Sequence, residues 1–190
     1  MQADWEMEIG PGAPIIDAHW EGFADLTSHP ERAASLPEAA ELPSLADALL
    51  QLNAAASPVW TSKCDVWRVE EPLDTDELDA APEAAIAMAC YIDLLARDWK
   101  RWSSPEQTAQ DCAALCTVLH SIHQRACRAD FIIRSAIFSG SRDELGVTAY
   151  LAACGTTQQE AQATLSRALE ALVTAVITAW TPAETPSKLQ

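Results

Sequence analysis

Three stretches of the sequence carry side chains of a type and spacing that can do chemistry. The first is DCAALCTVLHSIHQRAC, residues 111–127. On a helix advancing about 100° per residue, Cys112, Cys116, Leu119 and His123 fall within a sector of roughly 60°, with His120 beside it. Thiolates and imidazoles on one face suit zinc, and Cys64, Cys90 or Cys154 could complete such a site from other elements. Against this, Cys112 and His120 are about 12 Å apart along the axis, so one ion could take only two neighbours. Leu115, Val118 and Ile122 adjoin the same sector, which therefore reads as a core stripe. A metal- or thiol-dependent enzyme built on Cys112, Cys116 and His123 is the alternative expectation.

The second stretch is PIIDAHWEGF. Asp17, His19 and Glu21 would share one face of a strand, yet residues four apart on a strand are separated by about 13 Å and cannot reach one ion without a bend. The segment resembles the first-strand signature of metal-dependent amidohydrolases at Asp17 and His19, but Glu21 stands where that family has its second histidine. The likeness spans ten residues of a 190-residue chain, and the barrel the family requires takes about 250. A solvated polar strand face is the reading adopted. The third stretch, Glu70 to Glu83, is an acidic loop. Its Glu70, Glu71, Asp74, Asp76, Glu77 and Asp79 are the expected contacts for a basic partner. The segment DTDELD lacks the glycine and terminal glutamate of a calcium loop. No nucleophile elbow, phosphate loop or dinucleotide fingerprint occurs, so no catalytic residue and no cofactor is assigned.

The elements that must position these residues follow from periodicity. Prolines 11, 14, 30, 37 and 43 break up residues 1–43, which are expected to form an acidic, proline-rich N-terminal arm packed on the domain. Trp5–Ile9 and Ile15–Trp20 are its candidate short strands. Ser44 is the expected cap of a helix ending at Asn53. Residues 59–69 alternate and are rich in β-branched and aromatic types, predicting a strand in which Trp60 and Trp67, an odd number apart, face opposite sides. Residues 84–96 predict a second strand. Ser104, Pro105 and Gln107 then start a helix running to about Gln124.

The cycle repeats with strands at 130–139 and 147–154 joined by the loop GSRDELG. A helix capped by Thr156 or Thr157 follows, carrying Leu165, Leu169, Leu172, Val176 and Trp180 at helical spacing. The expected fold is α+β: a four-stranded, mostly antiparallel sheet with helices on one face, built as a tandem ββα repeat. It would form one domain over residues 44–180, followed by a flexible tail, 181–190.

Charge restricts the function classes. The chain carries 28 acidic and 12 basic residues, for a net charge of −16. Nearly all of the excess falls before residue 84. That argues against nucleic acid, whose phosphates need a basic surface, and against anionic membranes. The start of the sequence lacks the basic and apolar regions of a signal peptide, and no Cys-x-x-Cys pair occurs. Cytoplasmic localisation with reduced thiols is expected. The leading functional expectation is a protein-binding module, of inhibitor, immunity-type or scaffold character, acting through its acidic surface. Self-association into a homo-oligomer is left open.

Overall fold

The computed structural model describes residues 1–71, 74–138 and 141–180. The expected tail, 181–190, lies outside the described residues. The elements are β1 (Gln2–Glu8), β2 (Ile16–Asp17), α1 (Pro37–Glu41), α2 (Pro43–Asn53), β3 (Val59–Arg68), β4 (Ile86–Ala96), α3 (Pro105–His120), β5 (Cys127–Phe138), β6 (Ser141–Gly155) and α4 (Gln158–Trp180). Two 3₁₀ turns, Pro30–Ser35 and Trp99–Trp102, connect them. The fold is α+β.

The sheet is mixed and has six strands in the order β1-β5-β6-β4-β3, with β2 also lying beside β5. Strands β3, β4, β6 and β5 form the four-stranded antiparallel body expected from the sequence. β1 and β2 extend it, both parallel to β5. The N-terminal segment therefore begins as an edge strand of the sheet. Its side chains alternate in the way a half-covered strand requires: Ala3 is buried, while Asp4 and Glu6 are exposed.

Helices α2, α3 and α4 pack on one face of the sheet, with α4 over β4 and β6, α3 over β1 and β5, and α2 over β3. Into this core point Met88, Cys90, Ile92 and Leu94 of β4, Val147, Ala149 and Leu151 of β6, and Phe131 and Ile133 of β5. Caps set the helix ends. The Ser104 hydroxyl accepts the Gln107 N–H at 3.3 Å, and Pro105 fills the first turn. Thr157 accepts the Glu160 N–H at 3.2 Å, while the Glu160 carboxylate accepts from the Thr156 N–H at 2.8 Å. The Thr157 bond is the cap half of a capping box; the return bond from Glu160 reaches one residue further back, to Thr156 instead of the Thr157 N–H. α2 starts two residues earlier than expected, with Leu42 at the cap position and Pro43 in its first turn. Ser44 turns instead to Ser166 of α4, its hydroxyl donating at 2.9 Å.

Three further expectations need correction. Helix α3 stops at His120, not near Gln124. Both the hydroxyl and the N–H of Ser121 bond the Val118 carbonyl, and the Met1 ammonium donates to the Ile122 carbonyl. A side-chain donor competing for a helix carbonyl is a local stop. The expected loop GSRDELG is strand from Ser141 onward, with Gly146 inside β6. Finally, Trp60 and Trp67 do not face opposite sides. A bulge between Thr61 and Cys64 inserts one residue against β4 and resets the alternation. Trp60 then pairs with Leu95 and Trp67 with Ala89, both on the face away from the helices.

Candidate functional site

The face of the sheet opposite the helices is the candidate site, because no described helix packs on it. Its floor is read from the register. Trp67, Ala89, Ala152 and Arg128 form one row, and Asp65, Tyr91, Tyr150, Asp130 and Asp4 the next. Asp93, Thr148, Ile132 and Glu6 form a third. An aromatic ridge crosses the middle, with the Trp67 and Tyr91 rings 6.2 Å apart and those of Tyr91 and Tyr150 5.7 Å apart. All three side chains are half-buried, with no described ring or helix laid over them.

Two segments wall the ends of this face. At one end, residues 16–20 run from β5 to β3 as a strap. Ile16 and Ala18 pack on Leu95 and Ala136. The Ser62 hydroxyl donates to the Asp17 and Ala18 carbonyls at 2.8 and 3.1 Å, and the Trp20 indole donates to the Ser62 carbonyl at 3.3 Å. At the other end the acidic loop folds onto the sheet, its Leu78 buried against Ala87 and Cys154. The Ala126 N–H donates to the Asp79 carbonyl at 3.3 Å, and both residues have positive φ (61° and 49°).

The electrostatics of the floor are acidic. Asp4, Glu6, Glu8, Asp65, Asp93 and Asp130 outnumber Arg128, Arg134 and the edge residue Lys63. Arg128 is held by Asp130 at 2.7 Å and Glu77 at 3.2 Å. Arg134 is held by Glu8 at 3.0 Å and lies over the Tyr150 ring, 5.7 Å from its centroid. It also donates to the Tyr150 and Thr148 hydroxyls, each at 3.3 Å. Thr148 donates onward to Asp93 at 2.7 Å. Asp93 is 8% exposed, and burial pushes its carboxyl above the usual carboxylate range, against the Thr148 hydrogen bond and the nearby Arg134 and Lys63 charges. Burial, together with the Asp93 and Asp65 charges, likewise raises the Tyr91 hydroxyl. The arrangement can hold a cation or a cationic side chain against aromatic rings and carboxylates.

Of the residues expected to contact a partner, Glu77 and Asp79 are engaged within the chain. Glu77 pairs with Arg128, and Asp79 with Arg125 at 3.1 and 3.2 Å. Asp74 caps its own turn, accepting the Asp76 and Glu77 N–H groups at 3.0 and 3.1 Å. Glu70, Glu71 and Asp76 are exposed and bordered by the loop positions 72 and 73, which lie outside the described residues. Asp17, His19 and Glu21 do not share a strand face. Asp17 accepts the His19 N–H at 3.1 Å, and the His19 ring sits among Phe23, Trp60 and Phe138, with centroids 5.0–5.7 Å away.

Cys112 and Cys116 are buried in the core under α3, whereas His123 lies past the helix end and is exposed. Among the described residues, no three His, Cys, Asp or Glu side chains converge to hold a metal. None of the six cysteines is in a disulfide. Burial pushes the Cys64 and Cys116 thiols up to about 12 and Cys127 up to about 11. Cys64 is the one partly exposed thiol. It lines a cavity of about 220 Å³ between β3 and residues 20–38, beside Trp20, Leu26, Leu36 and Leu49. Because the thiolate is the reacting species, the native protein at neutral pH is expected to react with a maleimide slowly and at Cys64 alone. Denaturant should release all six thiols. A rapid native reaction at Cys112 or Cys116 would contradict the buried placement.

Apart from Trp67, the floor residues share no pattern in the sequence because they come from separate strands. One signal for them exists: Asp93 is a carboxylate inside the apolar run YIDLLA, where a charge is unexpected. No protein-family model matches the chain, and neither a curated protein nor a solved structure matches it.

Proposed function

We propose that the protein is a binding module that receives a basic segment of another protein on its uncovered sheet face. One observation carries the reading: the aromatic ridge Trp67–Tyr91–Tyr150 lies on a face that the helices leave open and that carboxylates dominate. Rings flanked by carboxylates suit lysine and arginine side chains, through cation–π contact and charge pairing together. Glu70, Glu71 and Asp76 at the loop end extend the negative field and steer a cationic partner toward the ridge. A cytoplasmic setting fits the free cysteines. The recurrent strand–strand–helix order, with Tyr91 and Tyr150 facing each other across the two central strands, fits a tandem ββα origin for this surface.

The test is titration of the full chain with a fluorescent lysine-rich peptide, followed by anisotropy. Binding is expected to weaken as salt rises, and Tyr91→Ala to weaken it by about tenfold, the size of a hot-spot loss. Asp79→Asn, which removes a carboxylate already paired to Arg125, should change it little. No binding at low salt, or binding indifferent to Tyr91→Ala, overturns the reading.

A further inference from the structure

Buried carboxylates in folded proteins are normally ion-paired, because an unpaired charge away from water is costly. Asp93 breaks this rule in the middle of the uncovered face. Its Oδ1 accepts the Thr148 hydroxyl, and no described donor reaches Oδ2. Every fully buried side-chain oxygen among the described residues has a hydrogen-bond partner, so Oδ2 is the atom that keeps contact with solvent. No lysine or arginine nitrogen among the described residues lies within 4 Å of Asp93.

The cations that could neutralise it are drawn elsewhere. Arg134 of β5 is held by Glu8 at 3.0 and 3.2 Å and by the Tyr150 hydroxyl at 3.3 Å, and it reaches Asp93 only through the Thr148 hydroxyl, to which it donates at 3.3 Å. Lys63 of β3 lies over the Trp20 ring at 5.4 Å from its centroid. Along β4, Asp93 sits two residues from Tyr91, on the same face, so a group resting on Oδ2 lies against the aromatic ridge. The surroundings thus provide an acceptor oxygen, a neighbouring ring and a carboxylate without a direct ion pair, each suited to a cationic side chain.

We propose that Asp93 is the receptor for one cationic side chain, a lysine ammonium or an arginine guanidinium, of the protein that docks on this face. The proposal rests on the reading of the face as a site for a basic partner. It makes Asp93 a specificity residue kept at the expense of stability, since the carboxylate feels Arg134 and Lys63 only at a distance and has no direct ion pair until the partner arrives. The linkage has a definite sign. A carboxyl whose folded value is raised binds protons more tightly in the folded state than in the unfolded one, so stability falls as pH climbs from the ordinary carboxylate value through the raised value. The charged and titratable groups facing it are Lys63 from β3, Arg134 from β5 with Glu8 of β1 behind it, and Tyr91 on β4 itself.

The experiment uses the full chain, wild type and Asp93→Asn, with melting temperature and affinity for lysine- and arginine-rich fluorescent peptides as readouts. Asparagine keeps the acceptor for Thr148 and removes the charge. The expected result is a higher melting temperature at neutral pH, a gain that fades in acid, together with binding weakened about tenfold or more. That loss should persist at high salt, because buried pairs are screened less than exposed ones. Asp65→Asn, on the rim, should lose its effect as salt rises. The two peptides separate ammonium from guanidinium preference. If Asp93→Asn binds as well as wild type, the receptor role is overturned while the binding face stands. A lower melting temperature in Asp93→Asn would show the carboxylate serving the fold, and also overturns it. If wild type binds neither peptide, the reading of the face fails, and the proposal with it.

Discussion

Asp111→Ala is expected to cost about 3–5 kcal/mol of folding stability, the largest single effect outside the hydrophobic core. The Asp111 carboxylate accepts from Arg101 Nε at 2.6 Å and Nη2 at 3.1 Å, and from the Trp102 indole at 3.1 Å. Its own backbone carbonyl accepts the Trp180 indole N–H at 2.9 Å, and Arg101 also donates to the Trp180 carbonyl. The two indoles meet edge to face at 5.1 Å between centroids and are fully buried. The carboxylate thus ties the turn at Trp99–Trp102 to α3, and through Arg101 and the Asp111 backbone carbonyl the same cluster takes in the end of α4. Alanine leaves the guanidinium without its counter-charge and the Trp102 indole N–H without its acceptor in a site water reaches poorly, and that desolvation penalty makes the loss large. Asp111→Asn keeps one acceptor oxygen and should lose markedly less. Urea denaturation of the two variants checks this; a loss below about 1 kcal/mol for alanine would place the pair among weak surface bridges.

Gly146→Val is the second large effect and bears directly on the site. Gly146 has no positive φ that would demand glycine; space is the constraint. A Cβ there would lie 2.8 Å from Ile16 Cδ1, 3.1 Å from Leu95 Cδ2 and 3.2 Å from the Leu94 carbonyl oxygen. The Ile16 methyl can swing aside, but the Leu94 oxygen is backbone in the central strand β4. Overpacking of this kind costs about 1–3 kcal/mol, with a branched side chain at the upper end. The strap 16–20 should lift from the face, raising acrylamide quenching of Trp20 and Trp60. Trp102 and Trp180, on the other side of the sheet, should stay protected. Unchanged quenching together with unchanged stability would contradict the close approach of the strap.

Gly146 also shows where the sequence ceases to be legible. A glycine six residues after another, in GSRDELG, reads as loop punctuation, yet in a strand the same residue marks close backbone approach. Only the position of Ile16, from a distant part of the chain, distinguishes the two. The order β3-β4-α3-β5-β6-α4 was readable because each element carries its own periodicity and its own cap, as at Ser104 and Thr157. β1 had a readable alternation as well, but its pairing partner did not. Parallel alignment of Gln2–Glu8 with Arg128–Arg134 depends on contacts far apart in sequence, which no local pattern encodes. The Trp60–Trp67 parity failed for a related reason, since one inserted residue reverses every later side chain on a strand. The candidate site is the extreme case. Tyr91, Asp93, Arg134, Thr148 and Tyr150 come from three strands, and each alone looks like an ordinary polar or aromatic position in a sheet. The acidic loop was conspicuous in sequence, yet the carboxylates of Glu77 and Asp79 are spent on Arg128 and Arg125.

The most direct measurement is amide and side-chain chemical-shift mapping by NMR of the full chain, titrated with a lysine-rich peptide at low salt. Docking on the uncovered face predicts perturbations centred on Trp67, Tyr91, Asp93, Thr148 and Tyr150, fading toward the helices, with Cys112, Leu115 and Leu169 in the core unmoved. Shifts confined to Glu70, Glu71 and Asp76, or spread evenly over the acidic surface with the Tyr91 and Tyr150 signals unchanged, would contradict it.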